Sequence, residues 1–324
     1  MICLDRIEGW HVGGELRRLE GFSSQKHAGT GLSFEGDGWH MVGQMYAQCF
    51  HVAQPRLTVP LALWHGGGMS GATWETTPDG RPGWLSFFLH ESFSVVLCDG
   101  FERGRASLPA WPQAFEGVPE YRALDAVWHH FRFGPPAGAG LPLAAPRAAA
   151  YAGQQFPVEQ LAHFARQFVP RFTNSDDCAR AAYDALLQRL GACAVIGHSQ
   201  GAAYALDAAL AEPRRVAAVV ALEPPVSQAC LQRLKSAPPG PLPPHCLIFG
   251  DHIRQRHATW EPFLHNAMAY CEELVARGVP VSFIELPERG LRGNSHMLHM
   301  DANSDCIAAL ARDWLLGLPG LARR

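Results

Sequence analysis

The chain has 324 residues, 48% of them apolar and 18% charged, with a net charge of −3. That is room for one large α/β domain with an insertion, or for two domains, and it excludes a disordered chain. Lys and Arg are scattered without a basic run, which argues against a nucleic-acid partner, and no stretch approaches the ~18 uninterrupted apolar residues of a membrane span.

The N-terminus, Met1-Ile2-Cys3-Leu4-Asp5-Arg6, lacks a basic stretch followed by an apolar core, so it does not read as a secretory signal. The nine cysteines contain no C-x-x-C pair, and Cys98, Cys193 and Cys246 fall in apolar runs where a free thiol acts as a small hydrophobe. The expectation is a reduced, cytoplasmic chain. A periplasmic protein stripped of its leader is the alternative.

Residues 1–57 read as antiparallel strands at a sheet edge, with Gly13-Gly14 and Gly36-Asp37-Gly38 as turn signals and a strand pattern from Met41 to Val52. Leu61 to Trp64 is a short buried strand that runs into His65-Gly66-Gly67-Gly68. Successive glycines there let backbone N–H groups face a common point, which makes Gly67 and Gly68 candidate oxyanion donors. Thr73 to Trp84 reads as a loop of unassigned role. Phe93 to Cys98 is a further strand, closed by the polar loop Asp99 to Ser107.

From 108 to 190 the alternation of strand and helix stops. Residues 134–155 are dense in Pro, Ala and Gly, whereas Leu161, Phe164, Ala165 and Phe168, and again Ala182, Leu186 and Leu190, stand at helical spacing. The block predicts a helical cap over a site, with 1–107 and 191–324 forming the core domain; packing on the flank of the sheet is the competing expectation.

Gly197-His198-Ser199-Gln200-Gly201 reads G-x-S-x-G between the strand-like run 192–196 and a helix over 202–211. Strand, tight turn and helix are the context of a nucleophile elbow, in which Ser199 stands on a strained turn and the Gln200 N–H lies free at a helix N-terminus. Alternation then resumes, with strands at Val216 to Leu222, His245 to Phe249 and Val279 to Leu286 and helices around Phe263 to Leu274 and Ile307 to Trp314. Strands alternating with helices imply a mostly parallel central sheet flanked by helices.

A serine hydroxyl needs a base, and the base needs an orienting carboxylate. His296 follows the last strand in a Gly-containing loop and fits the base better than His299. Glu223 and Asp251 both follow strands after the elbow and are both candidate acids; position alone favours Asp251. No histidine spacing demands a metal, and the chemistry needs no cofactor.

Seven separated stretches resemble a small group of atypical bacterial esterases in the α/β-hydrolase superfamily. They are Thr73 to Trp84, Phe131-Arg132-Phe133-Gly134-Pro135, Phe156-Pro157-Val158, His198-Ser199-Gln200, Glu223-Pro224, Phe249-Gly250-Asp251-His252 and Gly293-Asn294-Ser295-His296-Met297. The resemblance implies the α/β-hydrolase fold, with Ser199 as nucleophile, His296 as base and Glu223, rather than Asp251, as acid. One member has two adjacent cysteines where this chain has Gly67-Gly68, so no redox role carries over. The expected reaction is hydrolysis of a small-molecule carboxylic ester or lactone through an acyl-enzyme. Amide or C–C bond hydrolysis and perhydrolysis fit the same triad, and a non-catalytic binding protein is the reading from another class. The oligomeric state, a homodimer included, stays open.

Overall fold

The computed structural model describes all residues except 25, 137–139, 142, 255–256 and 324. Part of the Pro/Ala/Gly-rich stretch at 137–139 and 142 therefore lies outside the described residues. The strands are β1 (Leu4–Leu19), β2 (Gly38–Val52), β3 (Leu61–Trp64), β4 (Val95–Asp99), β5 (Cys193–His198), β6 (Val216–Leu222), β7 (His245–Phe249) and β8 (Val281–Glu285). They form one sheet in the order β1-β2-β4-β3-β5-β6-β7-β8. β1 pairs antiparallel with β2 and β2 antiparallel with β4; every later pair is parallel.

The N-terminal hairpin differs from the expectation in one respect. Gly13-Gly14 is not a turn. Both glycines lie inside the 16-residue β1 at φ 72° and 80°, opposite Gly43 at φ 96° in β2. Glycine tolerates these angles, so a local irregularity is absorbed without ending the strand.

The helices are α1 (Trp84–His90), α2 (Leu124–His130), α3 (Pro146–Ala149), α4 (Leu161–Ala165), α5 (Asp176–Leu190), α6 (Gln200–Ala211), α7 (Gln228–Ser236), α8 (Trp260–Ala276) and α9 (Ser304–Gly317). Side chains alternate across a strand. Ala62, Trp64 and Val195 therefore face a core shared with α5, α6, α7 and α8. Leu61, Leu63, Ala194 and Ile196 face the opposite core, shared with α1 and α9. α5 buries Ala182, Tyr183 and Leu186 in the first of these cores, so within 108–190 it is a flanking helix of the sheet. The remainder builds a separate small core, in which Val127, Trp128, Phe131, Phe133, Phe156 and Phe164 pack with Met69, Met297 and Met300. Those three methionines belong to the segments after β3 and after β8. The inserted residues are thus fastened to both loops that border the site.

Candidate active site

Ser199 occupies the sharp turn between β5 and α6 at φ 51°, ψ −119°. Such angles strain a non-glycine residue by ~1–3 kcal/mol and persist only where the surroundings enforce them. Here the enforcement is steric. A Cβ on Gly197 would lie 2.6 Å from Ala202 Cα, and one on Gly201 would lie 2.5 Å from the Trp64 and His65 carbonyl oxygens. Glycine at both positions lets helix α6 close onto β5 and β3. The Gln200 N–H, first in α6, has no acceptor within the helix.

The loop after β3 lies directly against this elbow. A Cβ on Gly66 would stand 3.3 Å from Ser199 Cβ, and one on Gly67 would stand 3.6 Å from Gln200 Cβ. The loop is held from outside. Arg122 NH1 donates to the Gly67 carbonyl at 2.9 Å, and the Val169 N–H donates to the Gly68 carbonyl at 2.9 Å. His65 bridges its base, with Nε2 accepting from the Gly100 N–H (2.9 Å) and Nδ1 donating to the Gly66 carbonyl (2.9 Å). Burial pushes the His65 imidazole down to about 4.

His296 is buried among Trp260, Phe131 and His198, with ring centroids 4.2, 4.9 and 4.7 Å away. Its backbone N–H donates to the Phe131 carbonyl at 2.9 Å. Its Nδ1 faces Glu223 Oε2 at 3.4 Å, and its Nε2 has no hydrogen-bond partner among the described residues. The Ser199–His296 bond is therefore not closed here, as is common for catalytic hydrogen bonds without a bound substrate. Burial, with the nearby His198 and Arg132, holds the His296 pKa well below 6.5. The Glu223 carboxylate alone would push the other way, but Arg132 offsets its charge and burial dominates.

Glu223, at the end of β6, is fully buried, and its other oxygen is doubly held. Oε1 accepts from Arg132 NH2 at 2.6 Å and from the Gly250 N–H at 2.5 Å. Burial raises the Glu223 pKa, against the pull of Arg132. Arg132 is itself buried, with Nε on the Asp251 carbonyl at 2.8 Å and its guanidinium 5.5 Å from the Trp260 ring. Seven non-glycine residues have positive φ among the described residues. Four of them, Ser199, Glu223, Arg132 and His252, sit in this neighbourhood, the clustering expected of a functional site.

Asp251, the alternative acid, does not touch His296. Its carboxylate accepts from the His252 N–H (2.7 Å) and the Gly293 N–H (2.9 Å), and those bonds outweigh partial burial to lower its pKa. It caps the loop that carries His296. Arg256, close by in the sequence, lies outside the described residues. His299 is also set apart, with Nε2 on Thr73 Oγ1 at 2.9 Å and its ring on Trp74 at 4.3 Å. Thr73, in the loop after β3, thereby acquires a packing role.

Two residues that the sequence reading passed over support the site. Arg132 is one. Asp301 is the other: its carboxylate accepts from Ser295 Oγ (2.6 Å), the Ser295 N–H (2.9 Å) and Asn294 Nδ2 (2.9 Å), which shapes the turn just before His296. Burial pushes Asp301 up to about 7 against these donors.

Ser199, Gln200 and Gly67 line one cavity of about 430 Å³, with Phe131, Trp260 and Phe263 as its apolar wall. No group of three or more metal-ligating side chains occurs among the described residues, and no described helix is long and apolar enough to cross a membrane.

This sheet order, with a strained serine on the turn after β5 and a histidine in the loop after the last strand, makes the chain an α/β-hydrolase. No protein-family model matches it. A solved structure described as a novel bacterial esterase superposes with a TM-score of 0.81 at 28% identity, covering 97% of this chain and 96% of that one. A probable secreted lipase, phiG, of Fungal sp. (strain ATCC 74256) is 28% identical over 317 residues, 84% of this chain and 85% of that protein. Within the α/β-hydrolase superfamily the chain is thus similar, over nearly its whole length, to that bacterial esterase.

Proposed function

We propose that the protein is a serine hydrolase of carboxylic esters in which Ser199, His296 and Glu223 form the triad. The observation that carries this reading is the convergence of the strained Ser199 elbow with a buried His296–Glu223 pair. Ser199 Oγ attacks the ester carbonyl while His296 Nε2 takes its proton. The Nδ1–H remains directed at Glu223 Oε2, which fixes the tautomer and offsets the imidazolium charge. The N–H of Gln200, with that of Gly67 or Gly68, receives the developing oxyanion. His296 then protonates the leaving alcohol, and water enters by the reverse sequence to release the acid. Arg132 and Gly250 hold Glu223 in place. Arg122, His130, Phe131 and Arg171 line the cavity and bound the space for the substrate.

A fluorophosphonate probe tests the reading. Stoichiometric labelling at Ser199, together with turnover of a simple aryl ester, supports it; an unlabelled, folded protein sinks it and restores the binding-protein alternative. Lactones and amides belong in the same panel, since the triad alone does not choose among them. The nine free cysteines support a reducing compartment, and the cytoplasm is the proposed location. Recovery of the protein from a periplasmic fraction would overturn that.

The pH profile follows from the direction of the His296 shift. Only neutral imidazole accepts the serine proton, so activity falls as pH drops through its pKa. That value lies well below 6.5, so the acid limb of kcat/KM should sit below about 6.5 and the rate should be level across neutral pH. A limb centred near or above neutrality would contradict the burial argument.

A further inference from the structure

We propose that Arg122 is a recognition site for an anionic group on the substrate, so that the favoured esters carry a carboxylate near the scissile bond. The inference rests on the reading of Ser199 as nucleophile, because it places the anion in the cavity that Ser199 lines.

Arg122 lies on the wall of that cavity with Gly67, Ser199 and Gln200. It is half-buried, and its guanidinium stands 5.6 Å from the Phe131 ring and against Gly68, where a Cβ would be 3.4 Å from its Cζ. NH1 donates to the Gly67 carbonyl at 2.9 Å. Among the described residues Nε and NH2 have no acceptor, and no carboxylate pairs with Arg122. The other arginines of this wall each have a carboxylate partner. Arg171 pairs with Glu120 at 3.1 Å, and Arg180 and Arg233 share Asp207 at 3.0 and 2.7 Å. The remaining acid, Asp176, accepts instead from Gln200 Nε2 and Tyr204 OH. One cation beside the oxyanion loop is thus left with two donor groups to spare. Burial and the charge of Arg171 both disfavour its charged form, which an incoming carboxylate would relieve. Guanidinium binds carboxylate through paired, charge-assisted bonds.

The experiment compares matched esters in wild type, Arg122→Gln and Arg122→Lys. One pair places the charge on the acyl side: the para-nitrophenyl hemi-ester of glutarate against para-nitrophenyl pentanoate. The other places it on the alcohol: para-acetoxybenzoate against para-tolyl acetate. Wild type should prefer the anionic member of at least one pair, and that pair identifies the side that carries the anion. In Arg122→Gln the preference should fall by about 10- to 100-fold, mainly through KM, as for loss of a hydrogen bond to a charged group. It should also weaken with added salt, and Arg122→Lys should keep part of it. No preference in either pair, a preference that survives Arg122→Gln, or an equal loss on charged and neutral esters would overturn the proposal; the last result would leave Arg122 only as a prop for Gly67. If wild type cleaves none of the four, ester hydrolysis is the reading that fails. Calorimetry with glutarate then decides the anion site separately: binding that Arg122→Gln abolishes supports it, and no binding to wild type rejects it.

Discussion

Ser199→Ala is expected to lower kcat by about 10³-fold or more while leaving the fold intact. The nucleophile is lost, whereas the oxyanion donors and the cavity remain, and these sustain the residual catalysis seen when a triad member is removed. Alanine can occupy the same turn, because the φ of 51° is imposed by Gly197 and Gly201 packing against α6 and β3 rather than by the serine hydroxyl. The thermal midpoint should therefore barely move. The measurement is single-turnover and steady-state hydrolysis of one aryl ester by a preparation shown to be free of wild type. Near-normal turnover would remove Ser199 from the mechanism.

The second large effect concerns the acid. Glu223→Gln is expected to reduce kcat by up to roughly 10⁴-fold, the loss measured when a serine protease triad is left with the wrong imidazole tautomer. Asp251→Asn should cost less than about 10-fold, because its carboxylate accepts from the backbone N–H groups of His252 and Gly293 and stands 4.0 Å from His252 Nδ1, away from His296, and an amide oxygen preserves part of that cap. Glu223→Gln has a further consequence. It leaves Arg132 as a buried cation without its counter-charge, and breaking such a pair costs about 3–5 kcal/mol. Melting curves must accompany the kinetics, so that a folded but slow enzyme is distinguished from an unfolded one. If the folded Glu223→Gln enzyme is fast and Asp251→Asn is slow, the acid is Asp251.

The contrast between these two carboxylates shows what a sequence can carry. β3, β6 and β7 are legible at their observed bounds because each is a short apolar run bounded by Pro, Gly, His or a charged residue. The elbow is legible because the G-x-S-x-G pattern stands between an apolar strand-like run and a helical one, with Gly197 demanded by the backbone of Gly201 and Ala202 a few residues on. The proposed acid is not, since Glu223 and Asp251 both end parallel strands and only the folded loop decides which one reaches His296. Family resemblance, not spacing, pointed to Glu223. The role of Arg132 stayed hidden for a related reason: the residue stands in a stretch that carries the resemblance, but the carboxylate that it meets is 91 residues away. α5 reads as part of an insertion because its apolar face is plain in the sequence while the surface that it covers is not. α1 and α7 are 7 and 9 residues long, too short for a firm periodic signal.

The way the inserted residues are fastened bears on how such enzymes diversify. A cap is an exchangeable module only where the residues of the site are held by the core alone. Here Phe131 supplies the carbonyl that holds the His296 backbone, Arg132 grips Glu223, and Arg122 grips the Gly67 carbonyl. Transplanting this segment from a relative would import or erase three contacts of the catalytic apparatus along with the substrate walls. The substrate walls and the supports of the site therefore cannot be exchanged separately by swapping this segment. A chimera that kept only the core would retain His296 and Glu223 without the Phe131 and Arg132 contacts that help to hold them in register.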